Sequence, residues 1–312
     1  MKRRTYPLWL VFDRFRHHRK RLTERTFGKY ETVLRHFESY LGRTATTGDL
    51  KNRVAEDWLT WLVEVRGCTP VTANGYSERI CCLWKWAVNH RLAKGFPDVQ
   101  RLKEPKRRPR ALTNDEVSKL LWSVSKERRN MDGTPAADWW RALILVLVDS
   151  GWRVGAALSL RWEHVDFAAG LAEVKAEHQK HGADDIKRLH PETLTALRKV
   201  KQAHPEVFGW ALVIANRIYA PWKRIRKRAG IPVERDFAFH TFRRTMITNV
   251  AAVAGDQVAC DFAQHSSVAI TRARYLDPTN ASRKHPVDIV GHPWSEAEGG
   301  EKGAGDEPTN DN

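Results

Sequence analysis

Residues 101–110 read Arg-Leu-Lys-Glu-Pro-Lys-Arg-Arg-Pro-Arg: six basic side chains, one acid, two prolines and a single apolar residue. Neither a helical nor a strand period runs through such a segment, and two prolines remove backbone donors from any ladder. It has to lie in solvent as an extended linker, opening at Gly95-Phe96-Pro97 and spanning 96–111. The chain on either side must therefore fold around separate cores. With 312 residues, 42% of them hydrophobic, both halves have enough apolar material to do so.

Residues 1–95 carry helical periodicity throughout. Leu8, Val11, Phe12 and Phe15 form one apolar face. A second helix, with Thr26 as its expected cap, carries Tyr30, Val33, Leu34, Phe37 and Leu41 and stops at Gly42. A third runs over about 54–65 with Trp58, Trp61, Leu62 and Val65 inward. The fourth follows Thr69-Pro70, where proline suits the first turn, and continues past Ile80, Leu83, Trp84 and Val88.

The region 112–285 is mixed. Thr113 and Glu116 make a capping box for a helix over about 114–126, and a strongly apolar helix follows at 136–149. Gly151 ends it, and Arg153 opens another through Leu160. Val165–Phe167 and Leu171–Ala176 read as a hairpin, with a third strand near 186–189. Helices return at 192–203, 218–229, 241–253, 256–263 and 267–275. Residues 286–312 form an acidic tail expected to be disordered at its end.

Charge narrows the partner. The chain carries +16, and because the last 18 residues hold a net −5, the rest holds +21. A field of that sign favours polyanions, nucleic acid first. No apolar run approaches the length of a membrane span, and no apolar h-region follows the basic N-terminus, so secretion and membrane insertion are not expected. Cys68, Cys81, Cys82 and Cys260 show no metal-finger spacing and read as thiols of a reducing compartment.

One cluster carries chemistry: His240-Thr-Phe-Arg243-Arg-Thr245, then Gln264-His265, then Tyr275. An arginine binds two phosphoryl oxygens at once, and a tyrosine oxygen is a possible covalent nucleophile. Taken singly, each of these residues also has an ordinary structural use. Upstream stand Asp149-Ser-Gly-Trp-Arg153 and Leu158-Ser-Leu-Arg-Trp-Glu-His-Val-Asp166. In this order and at these separations, the motifs resemble those of the tyrosine recombinase, or phage integrase, family.

The resemblance implies a mainly α fold with a small antiparallel sheet: an N-terminal helical core-binding (SAM-like) domain and a C-terminal catalytic domain related to topoisomerase IB. It implies site-specific cutting and rejoining of double-stranded DNA through a 3′-phosphotyrosine, with no cofactor and no metal. Arg153 and Arg243 match the two phosphate-binding arginines, Lys180 the lysine that protonates the leaving oxygen, and Tyr275 the nucleophile. His240 and His265 match the histidines that assist. Lys175 and Lys187 compete with Lys180 for its role. Lys106, Arg107, Arg108 and Arg110 in the linker, and Lys223, Arg224 and Lys227 on the basic helix, are candidate DNA contacts or simply a solvated face. The family also implies a homotetramer on DNA, a monomer or weak oligomer when free, and a place at the nucleoid in the cytoplasm of a bacterium or of a phage host, as the integrase of a mobile element.

Three positions depart from the family pattern. An acid is usual three residues beyond the first arginine, where Ala156 stands; a glycine is usual where Gln264 stands; and the nucleophile is usual one residue earlier, at Arg274. On a continuous helix one extra residue turns a side chain by about 100°. A catalytically inactive relative that only binds DNA is the alternative these departures leave open.

Overall fold

The computed structural model describes residues 5–105, 109–131, 133–179, 182–201, 204–209, 218–232 and 238–276. The tail 286–312 lies outside the described residues. The chain divides into two compact units, Met1–Arg107 and Arg108–Asn312.

The first unit is four helices: α1 (Leu8–His18), α2 (Glu24–Leu41), α3 (Asn52–Glu64) and α4 (Pro70–Asn89). Thr23, not Thr26, caps α2. The Thr23 hydroxyl accepts from the Thr26 amide at 3.3 Å, so the helix starts one turn earlier than its apolar stripe. Gly42 ends α2 in the left-handed region at φ 66°. Phe12, Phe15, Phe37, Trp58, Leu62, Leu83 and Trp84 meet in the core, with Trp58 edge-on to Phe37 at 5.0 Å. The expected linker is not wholly free. The Asn74 side chain on α4 donates to the Leu102 carbonyl and accepts from the Leu102 amide, both at 2.9 Å, so residues beside the basic run are tied to the first unit.

In the second unit Thr113 and Glu116 form the expected box at the start of α5 (Asn114–Val124). A two-residue hairpin, β1 (Asn130–Met131) with β2 (Thr134–Pro135), follows; its strands are too short to show any alternation in the sequence. Then comes α6 (Ala136–Ser150), apolar almost all round because it runs through the core, from Trp139 to Leu147. After α7 (Val154–Leu158), strands β3 (Val165–Asp166), β4 (Leu171–Val174) and β5 (Asp185–Arg188) form an antiparallel sheet in the order β3-β4-β5, with Val174 opposite Asp185. Helices α8 (Pro191–Lys199), α9 (Tyr219–Arg228), α10 (His240–Phe262) and α11 (Val268–Arg274) complete the unit. The two helices expected at 241–253 and 256–263 are both present: α10 consists of two helical halves parted at Gly255, whose φ of 88° interrupts the helical path. Among the described residues no helix is long and apolar enough to cross a membrane.

Candidate active site

The site grows from the end of α6. Gly151 terminates that helix at φ 62°, and a Cβ there would sit 3.3 Å from both Met246 and Phe262, so position and packing both require glycine. The turn points the Gly151 carbonyl at Arg243, which donates Nη1 to it at 2.8 Å. On its other side Arg243 Nη2 donates to the Ala263 carbonyl at 2.5 Å and reaches His265 Nε2 at 3.3 Å. Arg243 is 4% exposed. Burial, then the nearby charge of Arg153, lowers its pKa, while Tyr275 and Asp185 pull it back up.

Arg153 stands at the cap of α7, close enough to depress both Arg243 and the site histidines. Among the described residues its buried Nη1 has no hydrogen-bond partner. Three residues on, Ala156 is buried and has nothing to offer it. A buried guanidinium donor left open is costly unless an anion completes it.

An arginine only donates, so His265 Nε2 carries the lone pair and Nδ1 the proton, shared with Thr271 Oγ1 at 2.8 Å. Desolvation, then Arg243 and Arg153, push His265 down to about 4. His240, the first residue of α10, keeps a solvent-open face, yet enclosing protein and then Arg244, Arg243 and Arg153 push it down to about 4 as well. Both imidazoles are neutral at pH 7.

Tyr275 meets His265, His240 and Arg243. Its ring lies 4.3 Å from the His265 ring, 5.2 Å from the His240 ring and 5.7 Å from the Arg243 guanidinium carbon. The extra residue that separates it from His265 is accommodated outside a continuous helix. Gln264 takes φ 52°, Ser267 is extended at φ −162° and caps α11, and Tyr275 falls just past that helix at its C-cap. The positive φ also explains why glycine is the usual residue where Gln264 stands. Thr248 Oγ1 donates to the Tyr275 carbonyl at 3.0 Å, and Ile247, Ala251, Ala259 and Ala263 pack around the ring.

Lys180 lies outside the described residues, as do Lys106, Arg107 and Arg108. Its two competitors are both engaged. Lys175 pairs with Glu173 at 2.7 Å and Asp184 at 3.3 Å, and Lys187 is buried in β5. Of the candidate phosphate contacts, Arg110 pairs with Glu116 at 2.6 Å and Arg224 with the buried Glu127 at 2.6 Å, whereas Lys223 and Lys227 are exposed. Sequence reasoning missed the two carbonyls that grip Arg243, and it missed Asp185. Asp185 accepts from Trp152 Nε1 at 2.9 Å and lies 2.8 Å from Lys187 Nζ. The signal was an acid and a base two apart in a strand, a spacing that sends both to one face.

Two family models match this chain: "Phage integrase SAM-like domain" over residues 9–99 and "Phage integrase family" over residues 110–282. Among curated proteins, tyrosine recombinase XerA of Pyrococcus furiosus is 22% identical over 278 residues, covering 84% of this chain and 88% of that one. Among solved structures, the Tn1549 transposon integrase in complex with transposon right end DNA superposes with a TM-score of 0.69 at 15% identity, over 94% of this chain and 99% of that one. A lambda integrase tetramer bound to a Holliday junction gives 0.65 at 17% identity, over 84% and 75%. The match over residues 110–282 takes in more than half of the sequence and every part of the cluster around Arg243, and on that ground the chain belongs to the phage integrase family, the tyrosine recombinases.

Proposed function

We propose that this protein cuts and rejoins double-stranded DNA at specific sites through a covalent 3′-phosphotyrosine at Tyr275, as the integrase of a mobile element. The observation that carries the reading is the meeting of Tyr275 with His240, Arg243 and His265 inside one chain, in spite of its displaced position.

In this reading the scissile phosphate sits between Arg153, whose Nη1 has no acceptor among the described residues, and the buried Arg243. Their donors stabilise charge as it grows on the non-bridging oxygens. Tyr275 Oη attacks phosphorus, the bond to the 5′ oxygen breaks, and the number of phosphodiester bonds is conserved for religation. Neutral His240 is able to accept the phenolic proton, while His265 lies against the phosphate's arginine. Lys180 as donor to the leaving oxygen rests on the family resemblance. A phosphate held by Arg243 sits against His265 and raises its pKa, so His265 gains the proton it donates to a phosphate oxygen while His240 stays neutral as the proton acceptor. Exposed Lys223 and Lys227 serve the flanking backbone. The active assembly is a homotetramer on DNA, as in the lambda integrase complex that this fold resembles.

The test compares the native protein with Tyr275→Phe in cells. After lysis in detergent, DNA covalently bound to each is quantified and its ends sequenced. Adducts in the native protein alone support the reading, and sequenced ends give the target. Adducts persisting in Tyr275→Phe would sink it. A native protein that binds DNA but forms no adduct would return the chain to the binding-only alternative.

A further inference from the structure

Strand β5 is inside out. Ile186 points to solvent at 59% exposure, and its neighbours Asp185 and Lys187 point inward, 4% and 8% exposed. Burying two charges costs desolvation that their mutual attraction seldom repays in full. What they reach explains the arrangement better than their own attraction does.

Asp185 holds the indole of Trp152, which lies between Gly151 and Arg153 in the chain. Lys187 donates Nζ to the Phe262 carbonyl at 2.7 Å and stands 4.1 Å from the centre of the Phe262 ring. Phe262 directly precedes Ala263. The two carbonyls that grip the Arg243 guanidinium belong to Gly151 and Ala263. Each arm of the ion pair therefore ends one residue from one jaw of the Arg243 cradle.

We infer that Asp185 and Lys187 are positioning residues, a buried brace that sets the separation of the Gly151 and Ala263 carbonyls and so aims Arg243. Asp185 is also the acid whose charge acts on Arg243, in a site where Ala156 supplies none. One strand thereby fixes the turn carrying Arg153 and the turn leading to His265. The inference rests on Arg243 binding the reacting phosphate, but the existence of the brace is testable without DNA.

The variant to make is Asp185→Leu/Lys187→Met. It removes one charge of each sign, so the net field at the site is unchanged to first order, and apolar replacements of similar size are tolerated in place of many buried pairs. Two readouts follow. The first is the His265 titration by NMR. With the cradle slack, Arg243 draws away and the His265 pKa climbs from about 4 by about one unit or more. The second is covalent DNA adduct yield, which falls about tenfold or more because a misplaced catalytic group is costly in rate. The melting temperature stays within a few degrees of native. A His265 titration that does not move would overturn the brace, and so would a moved titration with undiminished adduct yield. If the native protein forms no adduct at all, the recombinase reading fails while the titration still decides the brace. Lys187→Met alone serves where the double variant does not fold, since Asp185 then keeps its Trp152 bond, and unchanged adduct yield in that variant overturns the Lys187 arm.

Discussion

The two units bury different things. Among the described residues of the first, one charged side chain, Asp49, counts as buried, and it sits near the surface beside Arg43. The polar side chains it buries, chiefly Asn74, are neutral, and the rest of its interior, from Phe15 to Trp84, is apolar. The second unit buries Glu127, Asp185, Lys187, Arg226 and Arg243. A unit that needs only to hold its shape fills its interior with side chains that gain by leaving water. A unit built to bind an anion keeps guanidinium groups out of water and assembles carbonyls and a carboxylate to hold them there. The first arrangement yields stability; the second gives up stability for preorganisation.

Trp58→Ala strikes the apolar side of this contrast hardest. The side chain is fully buried between helices, and its loss should cost about 3–5 kcal/mol, read as an early melting transition of the first unit by calorimetry. Arg243→Ala is the counterpart. Adduct yield should fall about 10²–10³-fold, with a smaller loss of melting temperature than Trp58→Ala gives, because the residue removed was itself costly to bury. Arg243→Lys should not restore the yield, since an ammonium cannot reach Gly151, Ala263 and the phosphate together. Recovery in the lysine variant would mean that charge alone matters at this position.

A pH titration sharpens the contrast from another side. His240 and His265 both protonate in the unfolded chain near 6.5 but in the native chain only near 4. Between those values the unfolded state binds more protons, so the second unit should lose stability as pH falls from about 6.5 to about 4, and show no contribution from these groups above 6.5. Thermal melts across that window check it; a second unit equally stable at both ends would place the imidazoles in open water. The smallest effect belongs to a surface cap. Thr23→Ala should cost about 1 kcal/mol in the first unit and leave adduct formation unchanged.

The same contrast governs what was legible beforehand. Helices with an apolar stripe, α1 to α4 and the all-round apolar α6, announced themselves through periodicity, because in them burial and hydrophobicity coincide. The candidate site residues Arg153, His240, Arg243, His265 and Tyr275 stood out only through their motif, since each alone has an ordinary structural use. The approach of His240, Arg243 and His265 to Tyr275 was not readable, because the non-helical backbone between His265 and the cap at Ser267, and the C-cap at Tyr275, are encoded by no side-chain pattern. Asp185 escaped, and Lys187 entered only as a rival to Lys180, for the opposite reason: in β5 the pattern is inverted, with the isoleucine outside. The cap at Thr23 was misread by one turn because the apolar stripe of α2 begins later than its hydrogen bonds.

Thr248 moors the Tyr275 main chain to the same helix that bears His240 and Arg243. On the proposed mechanism, the nucleophile and the groups that act on its target are thus inherited together, on one polypeptide. If the proposed tetramer of identical chains is the active form, this has a genetic consequence. A chain lacking Arg243 and a chain lacking Tyr275 each retain half of a site, and neither can lend its half to the other. On that mechanism the two defects should not complement, and a cell carrying both alleles should stay as inactive as one carrying either.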